Sequence, residues 1–437
     1  MKNKFYLISF AVKIMITCIS LLMPTFFCAQ NSSALNEVVL IESATIHTGT
    51  GEVIENGSIV IKGGKLLYVG YNGGAKDFEY STKIDAKNKH IYPGFIAPNA
   101  TLGLSEIDAV RATLDYREVG LYNPNIRTLT SYNTDSEIIP TVRSNGVLLA
   151  QITPRGGRIS GTSSIMALNG WNWEDAQYKA DDGIHLNWPQ FINYKYESRK
   201  IEKSEDYVKD VADLESFFSQ AFAYSKTDFP SKKNSKLEAM RGIFNGTKTL
   251  FVHANFVKEI IATVNFKKEF SIPKVVLVGG DDAWQVAELL KENNISVMIG
   301  RVHALPTYTE DDINMPYKMA KILFDKGILF CLQNHGDQEA ANLRNIPFLA
   351  GTAAAYGLGK EEALKSITLN AAKILGIDKT TGSLEVGKDA TLIISTGDAL
   401  DMMTNNIETA FIKGEKIDLN TRQKELYQKY KAKYNLN

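Results

Sequence analysis

The chain lacks a charge of either sign in excess: 49 basic residues face 49 acidic ones across 437 positions. That balance argues against a sequence-independent grip on nucleic acid, which needs a basic surplus or stripe. Cysteine is scarce as well. Cys18 and Cys28 fall in or beside the first thirty residues, and Cys331 stands alone after them. No disulfide framework can be built from one cysteine, and its apolar surroundings at 328–332 predict a buried, inert thiol. An uninterrupted apolar run of membrane-spanning length is also missing, because Lys13 breaks the segment 5–27, so no stable span is expected. No repeat of 20–50 residues appears, which excludes a solenoid or propeller.

What is present begins with Lys2 and Lys4, then the apolar segment, then polar Gln30-Asn31-Ser32-Ser33. This charged-then-apolar order predicts a signal peptide over 1–30 and a secreted or periplasmic product. An uncleaved anchor is the alternative; a lipid anchor at Cys28 is disfavoured by bulky Phe26 and Phe27. Residues 37–70 alternate β-branched and polar positions between glycine turns, and the same texture returns at 390–394 and 408–412. The two ends are therefore expected to build one small β-sandwich from 31–90 and 378–420. Between them, 91–377 alternates strand-like runs (146–152, 249–253, 274–278, 295–299, 328–332) with amphipathic helices (283–293, 316–326, 360–375), the pattern of a parallel α/β sheet. A charged helical excursion fills 196–240, and 421–437 reads as a helical tail.

Three stretches carry a family resemblance. The first runs from Asn56-Gly57-Ser58-Ile59-Val60-Ile61 to Ile91-Tyr92-Pro93-Gly94-Phe95-Ile96. The second is Gly242-Ile243-Phe244-Asn245-Gly246 with Leu250-Phe251-Val252-His253-Ala254. The third leads from Asn342-Leu343-Arg344 to Gly382-Ser383-Leu384-Glu385-Val386-Gly387-Lys388-Asp389-Ala390. In this order they resemble the amidohydrolase superfamily, in its imidazolonepropionase-like branch. The resemblance implies a TIM-type (β/α)8 barrel with a small β-domain, and hydrolysis of C–N bonds in small amides or dipeptide-like molecules. It also implies one or two divalent metals, commonly zinc, at the C-terminal mouth, where metal-bound water becomes a nucleophile.

The family's ligand pattern is His-x-His after strand one, a His ending strand five, another ending strand six, and an Asp after strand eight. Carried over, it falls on Asn99 and Thr101, on His253, on Gly279, and on Asn334 or His335. Only His253 keeps the family's residue, and no lysine suits the carboxylated strand-four position. Neutral Asn and Thr are poor zinc ligands, so an ordinary metal centre is not expected. A relocated site using His253, His303 and His335 is the competing arrangement; ordinary loop and core roles for these histidines are the simpler one.

After the strand at 146–152, Thr153-Pro154-Arg155-Gly156-Gly157-Arg158 offers two guanidinium groups among glycines, a candidate anion or substrate site. Pairing of Arg155 and Arg158 with neighbouring acids is the plainer reading. Trp171 and Trp173 are expected to pack. Two functions stay open: a small-molecule hydrolase with an altered site, and a catalytically inactive binding or accessory protein acting beside an active relative.

Overall fold

A computed structural model describes residues 37–195, 200–227, 232–336 and 338–435. The expected signal segment lies outside them. Five strands open the described chain: β1 (Val38–His47), β2 (Val53–Lys62), β3 (Lys65–Tyr71), β4 (Thr82–Asp85) and β5 (His90–Pro93). The barrel strands follow as β6 (Phe95–Ala100), β7 (Val147–Ile152), β8 (Ile159–Ala167) and β9 (Gln177–Asn187). A small hairpin, β10 (Ile192–Lys195) and β11 (Lys200–Lys203), precedes β12 (Thr249–Ala254), β13 (Val275–Gly279), β14 (Ser296–Ile299) and β15 (Phe330–Leu332). The chain ends through β16 (Leu392–Ser395), β17 (Ile407–Ile412), β18 (Glu415–Lys416) and a helix, Arg422–Lys433.

Both chain ends do meet in one sheet. Its order is β18-β17-β16-β5-β1-β2-β3, with β4 joined to β1. The expected sandwich is thus one continuous eight-stranded ladder, with Ile41, Ile59, Ile91, Leu392 and Phe411 sharing a single core. The β2–β3 turn is two residues long. Lys62 pairs with Lys65, and Gly63 and Gly64 both take positive φ (58° and 78°), the backbone that a tight hairpin of this length demands.

The second sheet, in order β15-β14-β13-β12-β9-β8-β7-β6, forms a nearly closed barrel. One feature corrects the expected (β/α)8 pattern: β8 runs antiparallel to both β7 and β9. Residues 159–164, directly after the arginine–glycine stretch, are the start of this strand. The alternation that marks a strand is hidden because Ser160, Thr162, Ser163 and Ser164 are buried along with their apolar neighbours. Among the described residues no hydrogen-bonded ladder joins β15 to β6, so the barrel has a seam.

The helical expectations hold with two changes. The segment 360–375 is two helices, Lys360–Ser366 and Leu369–Leu375, broken where Thr368 leaves helical geometry (φ −130°, ψ −97°). The segment 283–293 divides into a short 3₁₀ turn, Ala283–Val286, and the helix Ala287–Glu292. Trp173 packs partly against the core, but Trp171 is 93% exposed and does not pack as expected. Cys331 is fully buried, as its apolar run predicts, and burial raises its thiol pKa.

The excursion at 196–240 supplies the helices Tyr207–Ser225 and Ser235–Asn245. Phe218 from the first of them is fully buried, its ring centroid 4.6 Å from Phe266 and 5.6 Å from Phe270. Phe266 and Phe270 lie at the end of the helix that follows β12, so aromatic edge packing locks the excursion onto the barrel. Phe218→Ala is expected to cost about 3–5 kcal/mol in urea unfolding. A loss under about 1 kcal/mol would mean that the excursion packs loosely.

Candidate functional site

The C-terminal ends of the parallel barrel strands carry most of the residues singled out above. At the end of β6, Asn99 takes a left-handed backbone (φ 53°), a conformation asparagine tolerates better than most residues. It is 1% exposed and its polar atoms are all engaged. Its backbone N–H donates to Gln151 Oε1 at 3.1 Å, its side-chain Nδ2 donates to Gln333 Oε1, and its Oδ1 accepts from Arg155 Nη1 at 3.0 Å.

Gln151 continues inward. Its Nε2 donates to Asp182 Oδ2 at 2.8 Å, and Ser163 Oγ donates to Asp182 Oδ1 at 2.7 Å. Burial pushes the Asp182 carboxyl above its ordinary pKa, opposed by the bonds from Ser163 and Gln151. On the far side Gln333 Nε2 donates to the Met298 carbonyl at 3.2 Å. A belt of buried polar side chains therefore crosses the barrel interior from β9 through β7 and β6, over the seam, to β14. Buried polar groups require such partners, because an unpaired one costs about 1–3 kcal/mol.

A second polar contact joins β9 and β12. His185 Nδ1 lies 2.9 Å from His253 Nε2, and the His185 ring stacks on Phe251 at 4.7 Å. One ring donates and the other accepts. Burial, then the charge of Arg155, then His335 push the His253 pKa down to about 3. His185 is held well below its ordinary value by burial, His253 and Arg155. His335 is lowered by burial and Arg155.

His253, Gly279, His335 and Arg158 line one cavity of about 480 Å³. Thr101 and Arg155 line another of about 630 Å³, with Glu339. A third, of about 290 Å³, takes in Asp281, Arg301 and Met319 and shares His335 with the first and Gly336 with the second. The turn at 335–336 is thus where the three cavities adjoin. Asn99 and Asn334 are both buried and line none of these three, whereas His253, Gly279 and His335 line the first. Asn334 Nδ2 has no hydrogen-bond partner.

Gly279 is fixed as glycine by space as well as by its backbone. Its φ is +95°, and an added Cβ would fall 2.1 Å from Asn255 Oδ1. Asn255 therefore occupies the room that a side chain at the strand-six position would need. His303 does not join the other two histidines of the relocated arrangement; its Nε2 lies 2.7 Å from Thr352 Oγ1. Among the described residues, no group of three or more His, Cys, Asp or Glu side chains is placed to hold a metal ion.

The two arginines sit on the 153–158 hairpin at the mouth, and both are paired with acids, as the plainer reading expected. Arg155 Nη2 donates to Glu339 Oε1 and to the Asn99 carbonyl, each at 2.8 Å. Arg158 Nη2 donates to Asp210 Oδ2 at 2.7 Å. Sequence reasoning missed His185, Gln151, Asp182, Gln333 and Glu339. Only His185 carried a usable signal: it lies on the apolar run Ile184-His185-Leu186, two residues before the end of β9.

The buried His253 imidazole ties stability to pH. A histidine whose folded pKa is lowered leaves the unfolded chain binding more protons between the two values. The stabilising contribution of His253 is thus complete above about pH 6.5 and is lost as pH falls towards about 3. The slope of unfolding free energy against pH between 5.5 and 4 should be shallower in His253→Gln by about one proton, or about 1.4 kcal/mol per pH unit. Equal slopes would place a charged His253 in the folded state.

Residues 219–417 match the model of the amidohydrolase family. An imidazolonepropionase of Symbiobacterium thermophilum is 34% identical over 83 residues, 19% of this chain and 20% of that protein. An imidazolonepropionase of Picrophilus torridus is 27% identical over 240 residues, 52% of this chain and 56% of that one. The chain therefore spans little more than half the length of one of these curated relatives and a fifth of the other. The crystal structure of an amidohydrolase from Thermotoga maritima superposes with a TM-score of 0.75 at 24% identity, covering 87% of this chain and 99% of that one, a likeness of fold. By the family model over residues 219–417 and by these relatives the chain is similar to the amidohydrolase superfamily, with imidazolonepropionase-like relatives, and it shares the fold of an amidohydrolase.

Proposed function

We propose that the chain hydrolyses a C–N bond of a small molecule, an amide, a lactam or a dipeptide-like compound, in the mouth cavity lined by His253, His335 and Arg158, after export from the cytoplasm. One observation supports this reading: the His335 ring, whose pKa burial and the charge of Arg155 lower, and the Arg158 guanidinium line the same cavity of about 480 Å³. A neutral imidazole can take a proton from an attacking water, and a cation can stabilise the oxyanion that forms on the carbonyl. The proton then passes to the leaving amine.

The amidohydrolase family generally works with a divalent metal, which would supply an activated water here. The donors at the inherited positions do not suit one. Asn99 is spent on Gln333 and Arg155, Gly279 has no side chain, and His253 Nε2 is tied to His185. The proposed reaction is therefore written with side chains of this chain alone. The same mutual satisfaction of polar groups favours a second reading, a non-catalytic binding protein on the same barrel that works beside an active relative.

A panel of amides, lactams and dipeptides, with and without chelator, separates the two. Turnover that survives chelation and falls by roughly 10²-fold or more in His335→Asn supports hydrolysis by side chains. Binding without turnover of any compound supports the accessory protein. Turnover only after metal is added contradicts the reading of the donor set.

A further inference from the structure

The family's metal does more than activate water. By the resemblance, its ligands come from strand one and from the segment after strand eight, so the ion ties together the two edges where the barrel closes. In this chain those edges are β6 and β15, which share no ladder, and a different group spans them.

Arg155 reaches in from the 153–158 hairpin. Its Nη2 donates at 2.8 Å both to the Asn99 carbonyl and to Glu339 Oε1, and its Nη1 donates to Asn99 Oδ1 at 3.0 Å. Asn99 is the first inherited ligand position, and Glu339 opens the short helix Glu339–Asn342 that follows β15. The Arg155 and Glu339 side chains are only 21% and 15% exposed, so this ion pair is screened far less than one at the surface. We propose that the Arg155 guanidinium is the resident cation of the barrel mouth, making between strand one and the strand-eight side the tie that a divalent ion makes in the family.

Two physical consequences follow. A guanidinium offers donors in a fixed fork and accepts nothing, so every lone pair it engages is lost to a metal. Its permanent positive charge also repels a dication brought to the same place. Arg155 faces the His253, His185 and His335 rings as well as Asn99, and its charge acts on all three. The site is then complete as it stands and closed to metal as long as Arg155 remains. The inference rests on the mouth being the working site, but its test reads metal affinity and stability, so a failure to find a hydrolysed substrate leaves it standing.

The test is equilibrium dialysis of the purified protein against Zn(II) and Co(II), with thermal unfolding measured with and without chelator. The native protein should retain well under about a tenth of an equivalent, and its Tm should not move on chelation. Arg155→Met, which removes the cation and frees the Glu339 carboxylate near His335, should bind either metal at least roughly tenfold more tightly than the native protein. Arg155→Lys keeps the charge and should gain no metal affinity over the native protein. The proposal is overturned if the native protein retains about one equivalent whose removal lowers Tm, or if Arg155→Met folds and gains no affinity. Should Arg155→Met not fold, the two measurements on the native protein still decide.

Discussion

The barrel depends on the hydrogen bonds that Asn99 makes at its seam. A closed barrel satisfies every strand edge with a neighbour. Here β15 and β6 have no ladder between them, and the gap is crossed by side chains: Asn99 to Gln333, and Asn99 through Arg155 to Glu339. Because the belt continues through Gln151 to Asp182, the closure is shared by β6, β7, β9, β14 and the segment after β15. In a low-dielectric interior such a network holds one geometry firmly, since each broken bond leaves a buried group unpaired.

The electrostatics of the mouth follow from that closure. Arg155 donates to Asn99, and its charge then acts on three histidines, where burial first and repulsion second lower the pKa of each ring. Two of the rings share one hydrogen bond, and His335 lines the cavity together with His253. Gly279 leaves space for Asn255 where another ligand would stand. The chemistry available at the mouth is accordingly that of neutral imidazole and fixed guanidinium.

The sequence was most readable where one residue type has one job. The β-branched runs that became β7, β12, β13 and β14, the glycine pair between β2 and β3, and the motif from Gly382 to Ala390 all signalled their roles locally. Both chain ends shared a texture because they share one sheet. The antiparallel β8 was hidden by its composition: serine and threonine usually mark solvent or turns, and here they are buried along a barrel strand. The belt was illegible for a different reason. Gln151, Asp182 and Gln333 are ordinary polar residues 31 or more positions apart, and only the closed barrel brings them together. The pairing of Arg155 with an acid could be expected, but its partner lay 184 positions away.

The central claim is that the Asn99–Gln333 bond closes the seam, and a double-mutant cycle on that pair tests it most directly. Stabilities of the native protein, Asn99→Ala, Gln333→Ala and the double variant would be measured by denaturant unfolding. The predicted coupling is about 1–3 kcal/mol, because each single truncation strands the other buried amide. Additivity within about 0.3–0.5 kcal/mol would mean that the two side chains do not depend on each other, and the closure of the barrel would have to be sought elsewhere.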